Sequence, residues 1–203
     1  KIDGDYHEML KKINEIKNST KGNNNVDKEI FINEYIKDNI LKENICPHFC
    51  MYYGYNFTKG NIRDPNNPNK NSTYKNIVFT EGPNYNLANW AKPEFVDDGL
   101  VKSANKQGVY SKHLWDVAIF QILTLFLVKE IDDTVKKLKI DMSNLYVKNI
   151  KKGGYWKYVI NGIDLYVPNY GFIILYQSNF QNGDITKNTK DINLKTFYLP
   201  NGK

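Results

Sequence analysis

The segment GFIILYQSNF, residues 171 to 180, constrains the fold more than any other part of the chain. Its five consecutive bulky residues, 172 to 176, predict a β-strand buried on both faces, because a half-buried strand would alternate apolar and polar side chains. The strand runs directly into Gln177, Ser178 and Asn179. Polar groups at the end of a buried strand either face water in a loop or are delivered by the strand to a functional site.

A second apolar segment, DVAIFQILTLFLV at residues 116 to 128, predicts a helix. It is shorter than the roughly 20 apolar residues that a helix needs to cross a bilayer. Gln121 and Thr124 also interrupt it. We therefore expect no membrane span, and a helix over residues 111 to 131 that is buried inside the domain.

The other elements follow in an order typical of an α+β fold. An amphipathic helix is predicted for residues 26 to 41, and a short buried strand for residues 77 to 80. Asn161-Gly162 between two apolar runs is a strong signal for a β-hairpin. The Pro- and Asn-rich residues 59 to 75 predict an exposed loop. Because helices come first and short strands last, a regular parallel α/β sheet does not fit.

Charge and cysteine content narrow the class of protein. The net charge of +6 is spread over scattered lysines, which permits contact with nucleic acid without requiring it. With Cys46 and Cys50 as the only cysteines, no disulfide framework holds the fold and a reducing compartment is expected. Together with His48 they fall short of the four ligands of structural zinc, so buried thiols are expected and no metal site. Walker, Gly-x-Ser-x-Gly and His-Glu-x-x-His motifs are absent from the sequence.

Four short sequence segments, called phrases below, occur in this order along the chain: ICPHFCMYYGY, FQIL, NLYVKNI and YWKYVINGIDLYVPNYGFIIL. In this order they resemble the divergent protein kinase-like proteins of giant DNA viruses, over residues 27 to 180. The abundance of Asn and Lys, with Arg63 as the single arginine, indicates an AT-rich coding genome and suits such a source. The resemblance implies an incomplete or degenerate two-lobe kinase fold, with a small-lobe part at residues 1 to 80 and a large-lobe part at residues 81 to 203.

The resemblance also implies roles for individual residues. Glu29, or less readily Glu34, stands where the family has the helix glutamate that pairs with a strand lysine. Glu81 lies in the segment that corresponds to the hinge, which hydrogen-bonds the adenine of ATP in family members. Asn144 corresponds to the metal-binding asparagine, and Asn179 to the aspartate that holds magnesium. ATP and Mg²⁺ are therefore the ligands that the resemblance implies.

The same alignment places unsuitable residues at the catalytic positions. Lys139 stands where the family has its catalytic aspartate, and Asp141 could replace that aspartate only in a shortened loop. Asn179 lacks the charge that favours binding of a hard divalent cation. Phosphoryl transfer depends almost entirely on positioning and electrostatics, so we expect a pseudokinase without transfer activity.

From these residues we expect a binding or structural component of a giant virus. Its expected location is the virion, or the virus factory in the host cytoplasm, and its expected partners are viral proteins. One alternative is an atypical active kinase in which Asp141 is the base. Asn144 and Asn179 are also ordinary turn residues for an Asn-rich chain.

A further alternative is a nucleic-acid-binding module. Its candidate residues are four lysines that alternate with Tyr155 and Trp156, namely Lys148, Lys151, Lys152 and Lys157. A solvated hairpin edge, protected by lysines from further strand pairing, explains the same residues.

Overall fold

The computed structural model of the protein describes residues 24–57, 62–64, 67–72, 76–91, 109–177 and 193–201. The helices in these ranges are α1 (Asn24–Ile36), α2 (Leu87–Trp90) and α3 (Val109–Ile131), with a π-helical turn (Lys37–Leu41) after α1 and a 3-10 turn (Val135–Lys137) after α3. The strands are β1 (Tyr52–Phe57), β2 (Ile62–Asp64), β3 (Asn67–Ser72), β4 (Asn76–Thr80), β5 (Tyr85–Asn86), β6 (Leu145–Asn149), β7 (Tyr155–Ile160), β8 (Ile163–Pro168), β9 (Phe172–Tyr176) and β10 (Leu194–Leu199).

The strands form small antiparallel sheets. β1 pairs with β4, and β2 pairs with β3. One three-stranded sheet has the order β5-β6-β9, and another has the order β10-β7-β8. The expected α+β class is therefore confirmed, while the kinase-like arrangement stays a prediction.

The two strongest strand signals in the sequence are confirmed. All five side chains of β9 are buried, as the unbroken apolar run predicts. β7 and β8 form the hairpin expected around Asn161-Gly162, with Ile160 opposite Ile163. Asn161 (φ 50°) and Gly162 (φ 79°) both have positive φ, which a two-residue turn of this kind requires and which Asn and Gly tolerate best.

Helix α3 is buried on one face only, so the expectation of complete burial is wrong. Its buried side chains recur at helical spacing and include Leu114, Val117, Ala118, Gln121, Leu125 and Val128. The opposite face carries large apolar side chains that are 38% to 59% exposed, namely Trp115, Ile119, Leu123 and Phe126. The helix is apolar all round, but the core contacts only one of its sides. No helix in the described ranges is long and apolar enough to cross a membrane.

A single cluster of buried residues forms most of the core. It combines residues of α1, such as Ile32 and Ile36, with Leu125 of α3 and Ile174 of β9. Both parts of the chain expected from the resemblance, residues 1 to 80 and 81 to 203, contribute to this cluster. Their division into two lobes stays a prediction.

A buried polar contact joins α1 to the end of α3. The Tyr35 hydroxyl donates to Asp132 Oδ2 at 2.7 Å, and Asp132 Oδ1 accepts from the backbone N–H groups of Thr134 and Val135 at 2.9 Å. Both oxygens of this buried carboxyl group are therefore hydrogen-bonded, as buried polar atoms require.

Two local expectations are wrong. The Asn-rich residues predicted as a loop at 59 to 75 contain β2 and β3, which pair with Arg63 opposite Asn71. The strand expected at 77 to 80 is present within β4, but it is not buried, because Phe79 is half exposed. A two-stranded ribbon has no second layer of its own, so one of its faces stays in solvent.

Candidate functional site

Strand β9 forms hydrogen bonds along both of its edges. One edge pairs with β6, from Leu145 opposite Tyr176 to Asn149 opposite Phe172. At the middle of the other edge, both backbone groups of Ile174 bond to side chains. Its N–H donates to Gln121 Oε1 at 2.7 Å, and its carbonyl oxygen lies 3.0 Å from His48 Nδ1. Side chains thus supply hydrogen bonds that a neighbouring strand would otherwise make.

The hydrogen bonds of His48 determine its tautomer. A carbonyl oxygen can only accept, so Nδ1 carries the proton that bonds Ile174. Nε2 then accepts from the Tyr158 hydroxyl at 2.9 Å and ties β7 to β9. The ring is fully buried, and this burial lowers the pKa of His48 to about 4. His48 is therefore a neutral structural group at physiological pH.

The side chains of Cys46, His48 and Cys50 are buried and contribute to the packing of the core. Both cysteines are buried free thiols, and burial raises the pKa of each to about 12. Both nitrogens of His48 are occupied by protein partners. In the described ranges, no group of three or more His, Cys, Asp or Glu side chains could hold a metal ion.

Asn144, a predicted site residue, is buried in a closed turn. Its side-chain nitrogen donates to the Lys139 carbonyl oxygen at 2.5 Å, and its side-chain oxygen accepts from the Asp141 N–H at 2.9 Å. Its carbonyl oxygen accepts from the Gln177 N–H at the end of β9. The Asn144 side chain therefore joins the two ends of this turn.

Asp141, the candidate base, lies in the same turn. Its Oδ1 accepts from both the hydroxyl and the N–H of Ser143, and its Oδ2 lies 3.3 Å from Lys139 Nζ. These contacts hold the pKa of Asp141 below its usual value, with the Ser143 hydrogen bonds as the main cause. The carboxylate is thus ionised, but Ser143 and Lys139 already engage it.

Glu81, the third predicted site residue, joins β4 to the beginning of β1. Its N–H donates to the Met51 carbonyl oxygen at 2.7 Å, and its Oε2 accepts from the Met51 N–H at 3.2 Å. Its Oε1 forms an ion pair with Lys148 Nζ of β6. Both carboxylate oxygens of Glu81 are therefore bonded, and its charge is compensated by Lys148.

The Glu81–Lys148 pair lies in a cleft made of two adjoining hollows of about 700 and 330 Å³. Pro47, Glu81, Trp156 and Tyr198 line both hollows. The larger one also has exposed aromatic walls, and the smaller one is bordered by lysines. The volume of the larger hollow falls within the ~300–1,000 Å³ that is common for ligand sites.

Trp156 and Tyr198 form a firm side of this cleft. Their ring centroids are 5.1 Å apart, and the Tyr198 hydroxyl donates to the Gly153 carbonyl oxygen at 2.9 Å. Within the described residues, the buried Trp156 Nε1 has no hydrogen-bond partner. The ring of Trp156, and not its N–H group, is therefore what the cleft wall offers.

Of the remaining predicted site residues, those that the structure describes do not line this cleft. Glu29 is half buried on α1, where burial raises the pKa of its carboxyl group, and it forms no ion pair with a described residue. Asn179 lies outside the described residues. Of the other predicted site residues, Asp141 and Asn144 share one turn, and Glu81 lies apart from them with Lys148.

The basic stretch of the nucleic-acid alternative is partly neutralised. Lys148 pairs with Glu81, and Lys157 Nζ lies 2.7 Å from Asp164 Oδ2 across the β7–β8 hairpin. The exposed Lys151 and Lys152 lie in the loop before β7. The four lysines thus do not form one uncompensated stripe.

The residues expected to bind Mg²⁺ do not fit that ion where the structure describes them. Asn144 offers a single neutral oxygen that already accepts a hydrogen bond, and Asp141 is held by Ser143 and Lys139. Magnesium binding generally requires at least one available carboxylate. No chemical step is therefore assigned to a metal here.

Sequence reasoning missed several residues that build the site. In the sequence Gln121 is only an interruption of an apolar helix, and no pattern marks Tyr198 as a site residue. A lone Gln among apolar residues is itself a usable signal, because a buried amide needs a hydrogen-bond partner. The pairing of His48 with Ile174 had no local signal, since 126 positions separate them.

The fold defines an α+β protein with small antiparallel sheets. The chain is 36% identical over 111 residues to the uncharacterized protein R403 of Acanthamoeba polyphaga mimivirus. The match covers 52% of this chain and 15% of that protein, so the chain spans a small part of the relative's length. No family model matches the chain. No solved structure matches it either.

This similarity supports the giant-virus origin that the sequence indicated. The relative is itself uncharacterized, so the match carries no activity over to this chain. The kinase-like character, the location in the virion and the viral partners stay predictions.

Proposed function

We propose that the protein is a catalytically degenerate, kinase-like binding component of a giant virus. The observation that carries this proposal is the closed turn from Lys139 to Asn144. Its two candidate catalytic side chains, Asp141 and Asn144, are both engaged in holding the turn itself.

The chemistry of phosphoryl transfer explains why this turn argues against catalysis. Transfer needs a carboxylate that accepts the proton of the attacking hydroxyl, and further oxygens that hold magnesium. The base position of the resemblance is occupied by Lys139, a cation that instead pairs with Asp141. A cation at that position cannot accept the proton, so the turn favours a structural role.

The order of elements is compatible with the proposed relationship. Helix α1 precedes the β1–β4 ribbon, Glu81 follows β4, α3 comes next, and the turn before β6 leads to the β6–β9 pair. This is also the order of the resembling phrases, because both follow the chain. The proposed kinase-like relationship therefore rests on the phrases themselves.

A transfer assay tests this proposal directly. The full-length protein would be incubated with radiolabelled ATP and Mg²⁺, with a general acceptor protein present and an active kinase in parallel. We expect no label on the acceptor or on the protein itself. Magnesium-dependent labelling that is lost in Asp141→Asn, but kept in the exposed control Asp38→Asn, would contradict the proposal and establish the active-kinase alternative.

A further inference from the structure

We infer that the cleft beside the Glu81–Lys148 pair binds an extended peptide segment of a partner protein, one that carries an aromatic side chain and a nearby acidic group. This inference rests on the proposed function, because it names the ligand class of a binding component. Its support comes from the shape, the walls and the charges of the cleft.

The two hollows of the cleft adjoin each other, because four residues line both of them. The shared lining comes from the loop after α1, at Pro47, and from the β10-β7-β8 sheet, at Trp156 and Tyr198, together with Glu81. Two adjoining hollows suit an extended peptide segment, because separate pockets can receive different side chains of one segment.

The walls of the larger hollow favour an aromatic or otherwise apolar side chain. Tyr53 is 68% exposed, and Phe197 and Tyr198 are each about two-fifths exposed. All three line the same hollow as Met51 and Phe49. Exposed aromatic side chains that surround a depression are typical of the anchor sites of protein interfaces.

The charges place the acidic group of the ligand at the smaller hollow. Glu81 and Lys148 neutralise each other there. Lys151 lines the same hollow and is exposed, and its Nζ has no carboxylate partner among the described residues. Its uncompensated charge complements a carboxylate of the ligand, in a chain whose net charge is +6.

The same charges disfavour a nucleic acid as the ligand. Single-stranded nucleic acid requires cations that follow its phosphates. Here Lys148 is already paired with Glu81, so its charge is not available to a phosphate group. Lys157, another lysine of the basic stretch, is already paired with Asp164. A peptide with one or two carboxylates requires only the charge of Lys151, whereas a nucleic acid requires a row of cations.

A peptide-display selection on the immobilised full-length protein tests the inference. We expect enrichment of sequences in which an aromatic residue is followed or preceded by an acidic pair. The affinity of an enriched peptide would then be measured by fluorescence anisotropy, together with matched peptides in which Glu is replaced by Gln or the aromatic residue by Ala. Both replacements should weaken binding.

Variants of the protein locate the binding site. Charge reversal in Lys151→Glu and loss of the aromatic wall in Tyr53→Ser should each weaken the enriched peptide about tenfold. The controls are Lys136→Glu, beyond the end of α3, and Phe79→Ser, an exposed aromatic residue of β4 outside the cleft lining. Both controls should bind like the wild type.

The outcomes separate this inference from the proposed function. Enrichment of basic or charge-independent sequences, no enrichment, or unchanged affinity in Lys151→Glu and Tyr53→Ser would overturn the inference. So would preferential binding of an oligothymidine that Lys151→Glu abolishes, which would identify a nucleic-acid site. Phosphate transfer in the separate assay would overturn the proposed function while leaving the peptide result intact.

Discussion

The surroundings of β9 and the cleft beside Glu81 use polar groups in opposite ways. Around β9, side chains from distant parts of the chain satisfy the backbone, as Gln121 and His48 do for Ile174. In the cleft, Glu81 and Lys148 form a partly buried ion pair, and large aromatic side chains remain in contact with solvent. The polar groups around β9 stabilise the fold, whereas the cleft leaves side-chain surface available to a ligand.

This difference changes where a function should be sought. The sequence directs attention to the end of β9 and to the turn before β6, where the resemblance places catalytic residues. In that turn, the side chains of Asn144 and Asp141 both serve the local structure. The cleft offers free surface instead, so substitutions should affect stability around β9 and binding in the cleft.

The largest loss of stability is expected for His48→Ala. The substitution leaves a cavity in the core and removes the partners of the Ile174 carbonyl and the Tyr158 hydroxyl, so the free energy of unfolding should fall by about 4 kcal/mol. Urea denaturation followed by circular dichroism would measure it. His113→Ala, at an exposed position of α3, is the control. If His48→Ala lost as little free energy of unfolding as His113→Ala, the claim that polar groups around β9 stabilise the fold would fail.

A slightly smaller loss is expected where the residue before β7 lies against the end of β10, in Gly154→Ala. Gly154 has φ +72°, and an added Cβ would overlap the backbone carbonyl of Leu199 in β10. The backbone must shift, so we expect a loss of about 3 kcal/mol in the free energy of unfolding. Gly82→Ala, where an added Cβ meets open space, should lose little. A tolerant Gly154→Ala variant would show that the cleft side is less rigid than the structure indicates.

Acidification tests the region of β9 without mutation. The pKa of His48 is about 4 in the folded protein and ~6.5 when unfolded. Between these values only the unfolded state binds the proton, so stability must fall as the pH decreases. The loss due to His48 should reach about 2 to 3 kcal/mol between about pH 7 and about pH 4.5. Urea titrations at both pH values should show a smaller pH dependence in His48→Gln than in the wild type, whereas an identical dependence would contradict the prediction.

A moderate loss is expected for Asn144→Ala. Two hydrogen bonds of a buried amide to the backbone disappear, so the free energy of unfolding should decrease by about 1 to 2 kcal/mol. Asn89→Ala, an exposed position in α2, is the matched control. Thermal denaturation of both variants would measure the effect. If Asn144→Ala were as stable as its control, the claim that this side chain serves the turn would fail.

The smallest effect is expected for Lys157→Ala. The ion pair with Asp164 is exposed to solvent, where such pairs contribute little to stability. The melting temperature should therefore stay within the error of the wild-type value. A clear decrease would indicate that the β7–β8 hairpin depends on this pair, and that the surface near the cleft is held by charges more than by packing.

Periodic apolar patterns allowed much of the fold to be predicted. The unbroken run of β9, the Asn161-Gly162 turn and the extent of α3 are local features, and local sequence determines them. The β2–β3 pair was missed because Asn- and Pro-rich sequence is typical of loops. Which side of α3 contacts the core was not predictable, since the hydrophobic pattern is nearly uniform around that helix.

The candidate site was predictable only as a set of residues. Glu81, Asp141 and Asn144 were selected, but their partners were not. The Glu81–Lys148 pair joins positions 67 residues apart, and no periodicity signals such a contact. The cleft itself depends on β10, whose sequence lies beyond the resembling phrases. Contacts between distant segments arise from tertiary packing, which a single sequence does not reveal.

The hydrogen bond between Gln121 and Ile174 also has a consequence for α3 as a rigid body. Successive residues of an α-helix are about 100° apart around its axis. Because α3 is apolar all round, it could rotate about this axis with little change in buried apolar area. Trp115, Ile119, Leu123 and Phe126 all lie on the side away from Gln121. The single amide of Gln121 thus fixes the rotation of α3 about its axis. It thereby determines which apolar side of the helix faces the core and which side faces solvent.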